Sequence, residues 1–314
     1  MTNREFPAIG QNRRVQTLRI VFAGSPAAAV PSLRALAAGP HDVVAVITRE
    51  DSPHGRNRVL TPTPIAVVAE ELGLPVIRAN RLGAVSEELI ALHADLGVVV
   101  AYGGLIREPL LSAPRRGWIN LHFSLLPRWR GAAPVQRAIM AGDTETGAAV
   151  FRLVEELDAG PLYAVLRRPI GQHETAGHLL EELASSGAEL LGGVVDALAD
   201  DSARESEQSG EITLAPKLSL ADARIEWDQP AERVLAGIRG VTPEPGAFTE
   251  VDDARLKVLD AAADHDGPDL APGSYELRGG RLLAGTGSAP IQLVTVQPAG
   301  KRAMSGVDWW RGRR

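Results

Sequence analysis

The chain has 314 residues, 45% of them hydrophobic and 23% charged, with a formal net charge of −6. This is the composition of a globular protein of one or two domains and excludes disorder as the dominant state. There is no cysteine, so a disulfide framework, a thiol nucleophile and cysteine-built metal sites are excluded. A nucleic-acid partner would have to be met by local basic patches, because the overall field is mildly repulsive.

In chain order, residues 1–16 show no hydrophobic period and are expected as a loose extension. Arg13 and Arg14 precede an apolar stretch in the manner of a twin-arginine signal. Arg19 interrupts that stretch and Gly24, Ser25 and Pro26 end it, so the signal reading fails. No window reaches 18 consecutive apolar residues, so no membrane span is expected and the protein is read as cytoplasmic. The run 18–23 (LRIVFA) predicts a strand, and Pro26 is placed to open a helix over 26–38. Strands are predicted at 43–48, 75–78, 95–101 and 117–123, with helices near 65–72, 86–93 and 133–141. This alternation argues for a parallel α/β sheet. Strands at 147–154 and 161–168 are expected to add a hairpin to it, and a helix over 175–199 closes the domain.

Residues 200–216 are polar, with Ser and Gly, and read as a linker. The expected division is a first domain at 17–207, a linker at 208–216 crossed by few contacts, and a second domain at 217–314. The second domain holds short alternating runs (ARIEW, GAFTEV, RLKVLDA, GSYELR, RLLAG, IQLVTV) separated by Gly, Pro and Asp. These predict a small all-β barrel.

The first βα turn, Ala23-Gly24-Ser25-Pro26, has one of the three glycines of a dinucleotide fingerprint, and no P-loop is present. Hydride transfer and nucleotide hydrolysis are therefore disfavoured. The informative stretch is Asn120-Leu121-His122-Phe123-Ser124-Leu125-Leu126-Pro127-Arg128-Trp129-Arg130-Gly131-Ala132-Ala133-Pro134. Asn120 and His122 share one face of a strand, near the end where open α/β sheets place ligands. A polar pair inside an apolar strand costs stability unless it is satisfied or used. The bland reading is a core histidine bonded to backbone with Asn120 as its partner. Asp158, in Leu157-Asp158-Ala159-Gly160, is by itself an ordinary turn residue. His, Asn and Asp at these spacings match no zinc motif. Residues 49–64 join a strand to a helix with sixteen residues, against about 2–6 for such loops. They hold Arg49, Arg56 and Arg58, so the segment is either functional or a surface flap.

The pieces N-x-H-x-S-L-L-P-x-W-R-G-A-A-P, L-D-x-G and the late A-R-I-E-W together resemble the methionyl-tRNA formyltransferase family. The resemblance runs from Leu18 to the C-terminus. It implies a Rossmann-like formyltransferase domain followed by a small OB-like β-barrel. It implies that Asn120, His122 and Asp158 are catalytic, with Ser124, Leu125, Leu126 and Pro127 lining the site of the formyl donor, 10-formyltetrahydrofolate, and no metal. The acceptor implied is methionyl initiator tRNA, met by the loop around Arg56, with Arg58 beside it; the basic run 301–314 adds Lys301 and Arg302, and further Arg311, Arg313 and Arg314, as candidates read from charge. A monomer is expected. The loop is less basic than is usual in the family, and Pro161 stands where an acidic residue is common after L-D-x-G. Within the same chemistry, an amino sugar-nucleotide or a purine ribotide is the alternative acceptor. A non-catalytic RNA-binding protein is the alternative of another class.

Overall fold

The computed structural model describes residues 16–54, 58–264 and 266–313. The expected loose extension at 1–15, Arg56 and Arg314 lie outside the described residues.

The first domain is built from β1 (Arg19–Gly24), α1 (Val30–Ala38), β2 (Asp42–Thr48), β3 (Ser52–His54), β4 (Val59–Thr61), α2 (Pro64–Glu71), β5 (Val76–Arg78), α3 (Ser86–Ala91), β6 (Leu96–Val100), β7 (Trp118–His122), β8 (Arg130–Gly131), α4 (Pro134–Ala141), β9 (Glu145–Arg152), β10 (Leu162–Pro169) and α5 (Ala176–Ala199). Seven strands form one sheet in the order β10-β9-β7-β6-β1-β2-β5. The five from β5 to β7 run parallel, and the hairpin β9–β10 adds antiparallel to β7. The strands β2 and β5 lie on one side of β1, and β6 and β7 on the other. The chain therefore reverses its order beside β1, and the carboxyl ends of the strands there open a crevice of the kind that binds ligands in open α/β sheets.

The β1 run packs Ile20 and Phe22 on one face and Val21 and Ala23 on the other, so the strand is buried on both sides, as a central parallel strand must be. The helices α1, α2 and α5 cover the first face with Leu33, Ile65, Leu183 and Leu191. Leu89 of α3, Tyr102 and Leu110 cover the second. Pro26 does not open α1 directly: a 3₁₀ turn over Ala27–Ala29 intervenes, and Pro31 falls in the first turn of α1.

The long segment 49–64 is not structureless. Six of its residues, Ser52–His54 and Val59–Thr61, form the antiparallel pair β3–β4. Arg49 does not reach outward with it. Its guanidinium donates to the backbone carbonyls of Tyr102, at 3.3 Å, and Gly103.

The chain then passes through β11 (Leu214–Ala215) to α6 (Ala231–Gly240), β12 (Phe248–Val251), β13 (Ala254–Ala263), β14 (Tyr275–Arg278), β15 (Arg281–Ala284), β16 (Ile291–Pro298), β17 (Met304–Ser305) and α7 (Gly306–Arg311). Six of these strands form an antiparallel sheet, ordered β12-β13-β16-β15-β14 with β17 on β16. Two helices were not expected in this domain. In α6, Val234 and Ile238 stand one turn apart and enter its core together. Ser305 caps α7, its Oγ accepting the Asp308 N–H at 3.0 Å. The ARIEW run, expected as a strand, makes one isolated bridge, Arg224 to Phe248. Its apolar residues Ile225 and Trp227 pack on the β core from outside the sheet.

Contacts between the halves are substantial, contrary to the expectation drawn from composition. Met140 of α4 packs on the second core. Arg233 of α6 donates to the Met140 carbonyl at 3.3 Å. Arg137 pairs with Asp222 at 2.8 Å. A side chain at Gly240 would run into Met140, so the glycine is what lets α6 approach α4.

Candidate active site

β7 sorts its side chains by alternation. Ile119 and Leu121 enter the core shared with α5, and Gly187 of α5 leaves room for Leu121. Asn120 and His122 take the opposite face at the carboxyl end of the strand. His122 is buried, with its ring edge-on to Phe151 of β9 at 6.4 Å. Its Nε2 lies 2.9 Å from the Trp129 carbonyl oxygen, which can only accept, so Nε2 carries a proton. Its Nδ1 faces Asp158 Oδ2 at 3.8 Å. That is the distance of a charge pair and too long for a hydrogen bond. Both ring nitrogens therefore face oxygen acceptors.

Asp158 is buried and left-handed, with φ 47°. Its Oδ2 accepts the Gly131 N–H at 2.7 Å. Gly131 has φ 127°, and a Cβ there would stand 2.7 Å from the Ala215 carbonyl oxygen, so this close approach demands glycine. Asn120 Oδ1 is sealed from solvent and has no hydrogen-bond partner among the described residues. An unpartnered polar atom beside a histidine–carboxylate pair calls for a partner, and a ligand at the strand end is one.

The structure thus gathers Asn120, His122 and Asp158, which were 38 residues apart at most in sequence; of the bland reading, the buried histidine bonded to backbone holds, at the Trp129 carbonyl, while Asn120 is not its partner. The Ser124–Pro127 segment behaves differently from expectation. Ser124 is fully buried and its Oγ donates to the Arg128 carbonyl at 2.6 Å. Leu126 packs with Ala149, Phe151 and Leu162 in a small core cluster. Pro127 is buried as well, and Leu125 alone of the four is half-exposed. These side chains hold the loop in shape, leaving its backbone and Leu125 as the surface a ligand can reach.

The basic candidates also divide. Arg58, Lys301, Arg302 and Arg311 are exposed. Arg313 is committed within the domain: it pairs with Asp252 and stacks over the rings of Trp309 and Trp310.

Sequence reasoning missed the segment 208–216. It is not a free connector but a strap laid across the loop after β7. β11 pairs in parallel with β8, Leu214 opposite Arg130 and Ala215 opposite Gly131. Thr213 Oγ1 accepts the Trp129 N–H at 2.8 Å, and the Ala215 carbonyl accepts from Ala132 and Ala133. Nothing in its polar composition marks such a role, because the bonds go to backbone groups some 80 residues away.

A separate surface groove of about 540 Å³ is lined by Arg168, Ile170, His173, Glu174 and His178. It holds an ion cluster and none of the three gathered residues. Among the described residues no group of three or more His, Asp or Glu is placed to hold a metal ion. Nor is any helix there long and apolar enough to cross a membrane.

The formyl transferase family matches residues 18–195, and the formyl transferase C-terminal domain matches 217–314. The chain is 60% identical over 296 residues to the methionyl-tRNA formyltransferase of Clavibacter michiganensis subsp. michiganensis (strain NCPPB 382), covering 94% of this chain and 97% of that one. It is 62% identical over 296 residues to that of Leifsonia xyli subsp. xyli (strain CTCB07), with the same coverage of both. The chain belongs to the methionyl-tRNA formyltransferase family. It is accordingly a formyl-transferring enzyme. Among solved structures, an N-formyltransferase from Helicobacter canadensis, in complex with folinic acid and dTDP-3-aminofucose, superposes with a TM-score of 0.68 at 16% identity, over 90% of this chain and all of that one. HypX from Aquifex aeolicus in complex with tetrahydrofolic acid gives 0.60 at 15% identity, over 94% of this chain and 47% of that one. At such identities these likenesses speak for the fold alone.

Proposed function

We propose that this protein transfers the formyl group of 10-formyltetrahydrofolate to the free α-amino group of methionyl initiator tRNA, in the cytoplasm, and that Asn120, His122 and Asp158 carry the reaction. The observation that carries the reading is the buried His122–Asp158 pair beside the unpartnered Asn120 amide oxygen at the carboxyl end of β7. High identity to relatives named for the same activity supports the choice of acceptor. The names of structural neighbours, which mention folinic and tetrahydrofolic acid, support a folate donor.

The folate supplies an electrophilic formyl carbon and an amine leaving group. When the acceptor amine attacks, negative charge develops on the formyl oxygen. Asn120 offers its amide N–H to that oxygen. The Trp129 carbonyl anchors His122 at Nε2, so Nδ1 is the nitrogen left for chemistry, and its N–H is the second donor. Removing one donor of this kind typically costs about 10²–10³ in turnover. Asp158 stabilises the positive charge of the protonated ring and accepts a proton from the attacking ammonium, directly or through water; that proton is returned to the folate nitrogen as its bond to the formyl carbon breaks, so the donor leaves as a neutral amine. The loop backbone over 124–127, held by Ser124 and Leu126, presents the donor alongside Leu125. Arg56, Arg58, Lys301 and Arg302 contact the tRNA as cations. The chain acts as a monomer, its first domain at 17–207 holding the chemistry and its second at 217–314 assisting tRNA docking.

The test is an acceptor comparison: formyl transfer from 10-formyltetrahydrofolate to methionyl initiator tRNA, to an amino sugar-nucleotide and to a purine ribotide. Transfer to the charged tRNA alone is expected. Transfer to the sugar with none to tRNA would replace the acceptor and leave the chemistry standing.

A further inference from the structure

Gln208 is the strap residue that grips the Asp158 turn. Its Nε2 donates to the Asp158 carbonyl at 2.7 Å and to the Gly160 carbonyl at 2.9 Å. Its Oε1 accepts from Arg130 Nη2 at 2.8 Å and from Nε at 3.2 Å. Both amide hydrogens and both acceptor positions of the side chain are thus engaged, as far as a glutamine can be. Arg130 is buried, and its remaining contact is Glu156 at 3.1 Å, a carboxylate that is itself largely exposed. Arg130 stands directly before Gly131, whose N–H holds the Asp158 carboxylate.

We propose that Gln208 and Arg130 form a clamp that positions Asp158 against His122, making Gln208 a positioning residue for formyl transfer. The clamp seizes the backbone on both sides of Ala159, fixing a turn that begins with a left-handed aspartate. Left-handed backbone at a non-glycine residue is strained and persists where surroundings over-determine it. Gln208 and the Gly131 N–H supply that constraint from two directions. The pairing of β11 with β8 fixes where the strap lies, so the strap connects the register of the inter-domain segment to the position of the carboxylate. The functional part of this proposal rests on the reading of Asp158 given above.

The discriminating variant is Gln208→Glu in the full chain. A carboxylate keeps both bonds from Arg130 and improves them, while it replaces two donors with acceptors facing two carbonyls. The clamp thus opens on the turn side only. Gln208→Met, of similar length and apolar, removes both sides. Each is measured for turnover of methionyl initiator tRNA across pH, for KM of both substrates and for thermal melting, with Asp158→Asn alongside. The clamp predicts that Gln208→Glu still folds, melts below wild type because two carbonyls lose their donors, and keeps both KM values. Its kcat falls about 10–100-fold, the scale at which misplacing a catalytic group by an ångström is felt, and the acid limb of its kcat–pH profile moves. Wild-type kcat and profile in both Gln208 variants, with Asp158→Asn inactive, would overturn the clamp alone. A fully active Asp158→Asn would overturn the reading of Asp158 and the clamp with it. Failure of both Gln208 variants to fold would make Gln208 a stability residue and overturn its positioning role.

Discussion

His122 Nδ1 and Asp158 Oδ2 stand 3.8 Å apart, both buried, with the Gly131 N–H on the same carboxylate oxygen at 2.7 Å. The carboxylate is thereby pinned by a neutral donor and faces the ring as a charge. Replacing Asp158 with Asn keeps the shape and the polar contact to Gly131 and removes the charge. We expect Asp158→Asn to lose about 10²–10⁴ in kcat, the range for losing general acid–base assistance, and its pH profile to lose the limb on the acid side. Retention of half the wild-type rate would reduce Asp158 to a turn residue.

The strap makes a second expectation independent of chemistry. Thr213→Val is nearly isosteric but removes the acceptor of the Trp129 N–H. Leaving such a donor unpaired costs about 1–3 kcal/mol, and the Trp129 carbonyl that anchors His122 belongs to the same residue. Denaturant unfolding should show the loss of stability, with a fall in turnover beside it. For the same reason, a cut near Ser209 should leave an inactive first domain, because it removes Thr213, Ala215 and the α6 partner of α4 together. Unchanged unfolding and turnover in Thr213→Val would show that the strap merely rests on the loop.

Glu174 lies under 10% exposed between Arg168 and His178. The hydrogen bonds from Arg168, then those from the Gly171 N–H and His178, hold its carboxyl at about 2, against an ordinary value of 4.5. A carboxyl whose value is depressed on folding contributes stability above its unfolded value and loses it as pH falls through the folded one. The displacement corresponds to at most about 3 kcal/mol, reduced by solvent screening in this open groove. Wild type should therefore exceed Glu174→Gln in stability at neutral pH, and the gap should close between about pH 4.5 and 2. Unfolding curves that stay parallel across that window would contradict the assignment.

Lys301 and Arg302 are exposed in the turn before β17. If they meet tRNA phosphates, Lys301→Ala with Arg302→Ala should weaken tRNA binding and flatten the slope of log K against log salt by about 0.7–0.9 for each phosphate no longer neutralised. Arg56→Ala should weaken tRNA use in the same assay and leave folate binding alone. Identical affinity and slope would return these residues to the solvated surface.

Much of this was legible before the fold was seen. The alternation in WINLHF placed Asn120 and His122 on one face, and the helix expected near 133–141 is α4, Pro134–Ala141. The helix α6 escapes a strand-based reading because its apolar stripe, Ala231, Val234, Leu235 and Ile238, is a single short helical repeat set among runs with the look of alternating strands. Arg49 read as a loop cation, yet its guanidinium turns inward, a choice made by carbonyls of a distant strand end. Gln208 and Thr213 were invisible for a stronger reason. Their partners are backbone atoms about 50 and 84 residues away, and no local pattern records such a bond. The buried Ser124 and Leu126 sat in a recognisable motif, but only packing tells a residue that shapes a loop from one that touches a ligand.

The central claim is that the Asn120–His122 face performs formyl transfer. A single-turnover assay, with enzyme in excess over methionyl initiator tRNA and saturating 10-formyltetrahydrofolate, tests it most directly. Wild type, Asn120→Ala and His122→Ala are compared, with folate binding measured separately. We predict that each variant binds folate as wild type does and forms formyl-methionyl-tRNA about 10²–10³ times more slowly. Single-turnover rates near wild type in either variant would contradict the account.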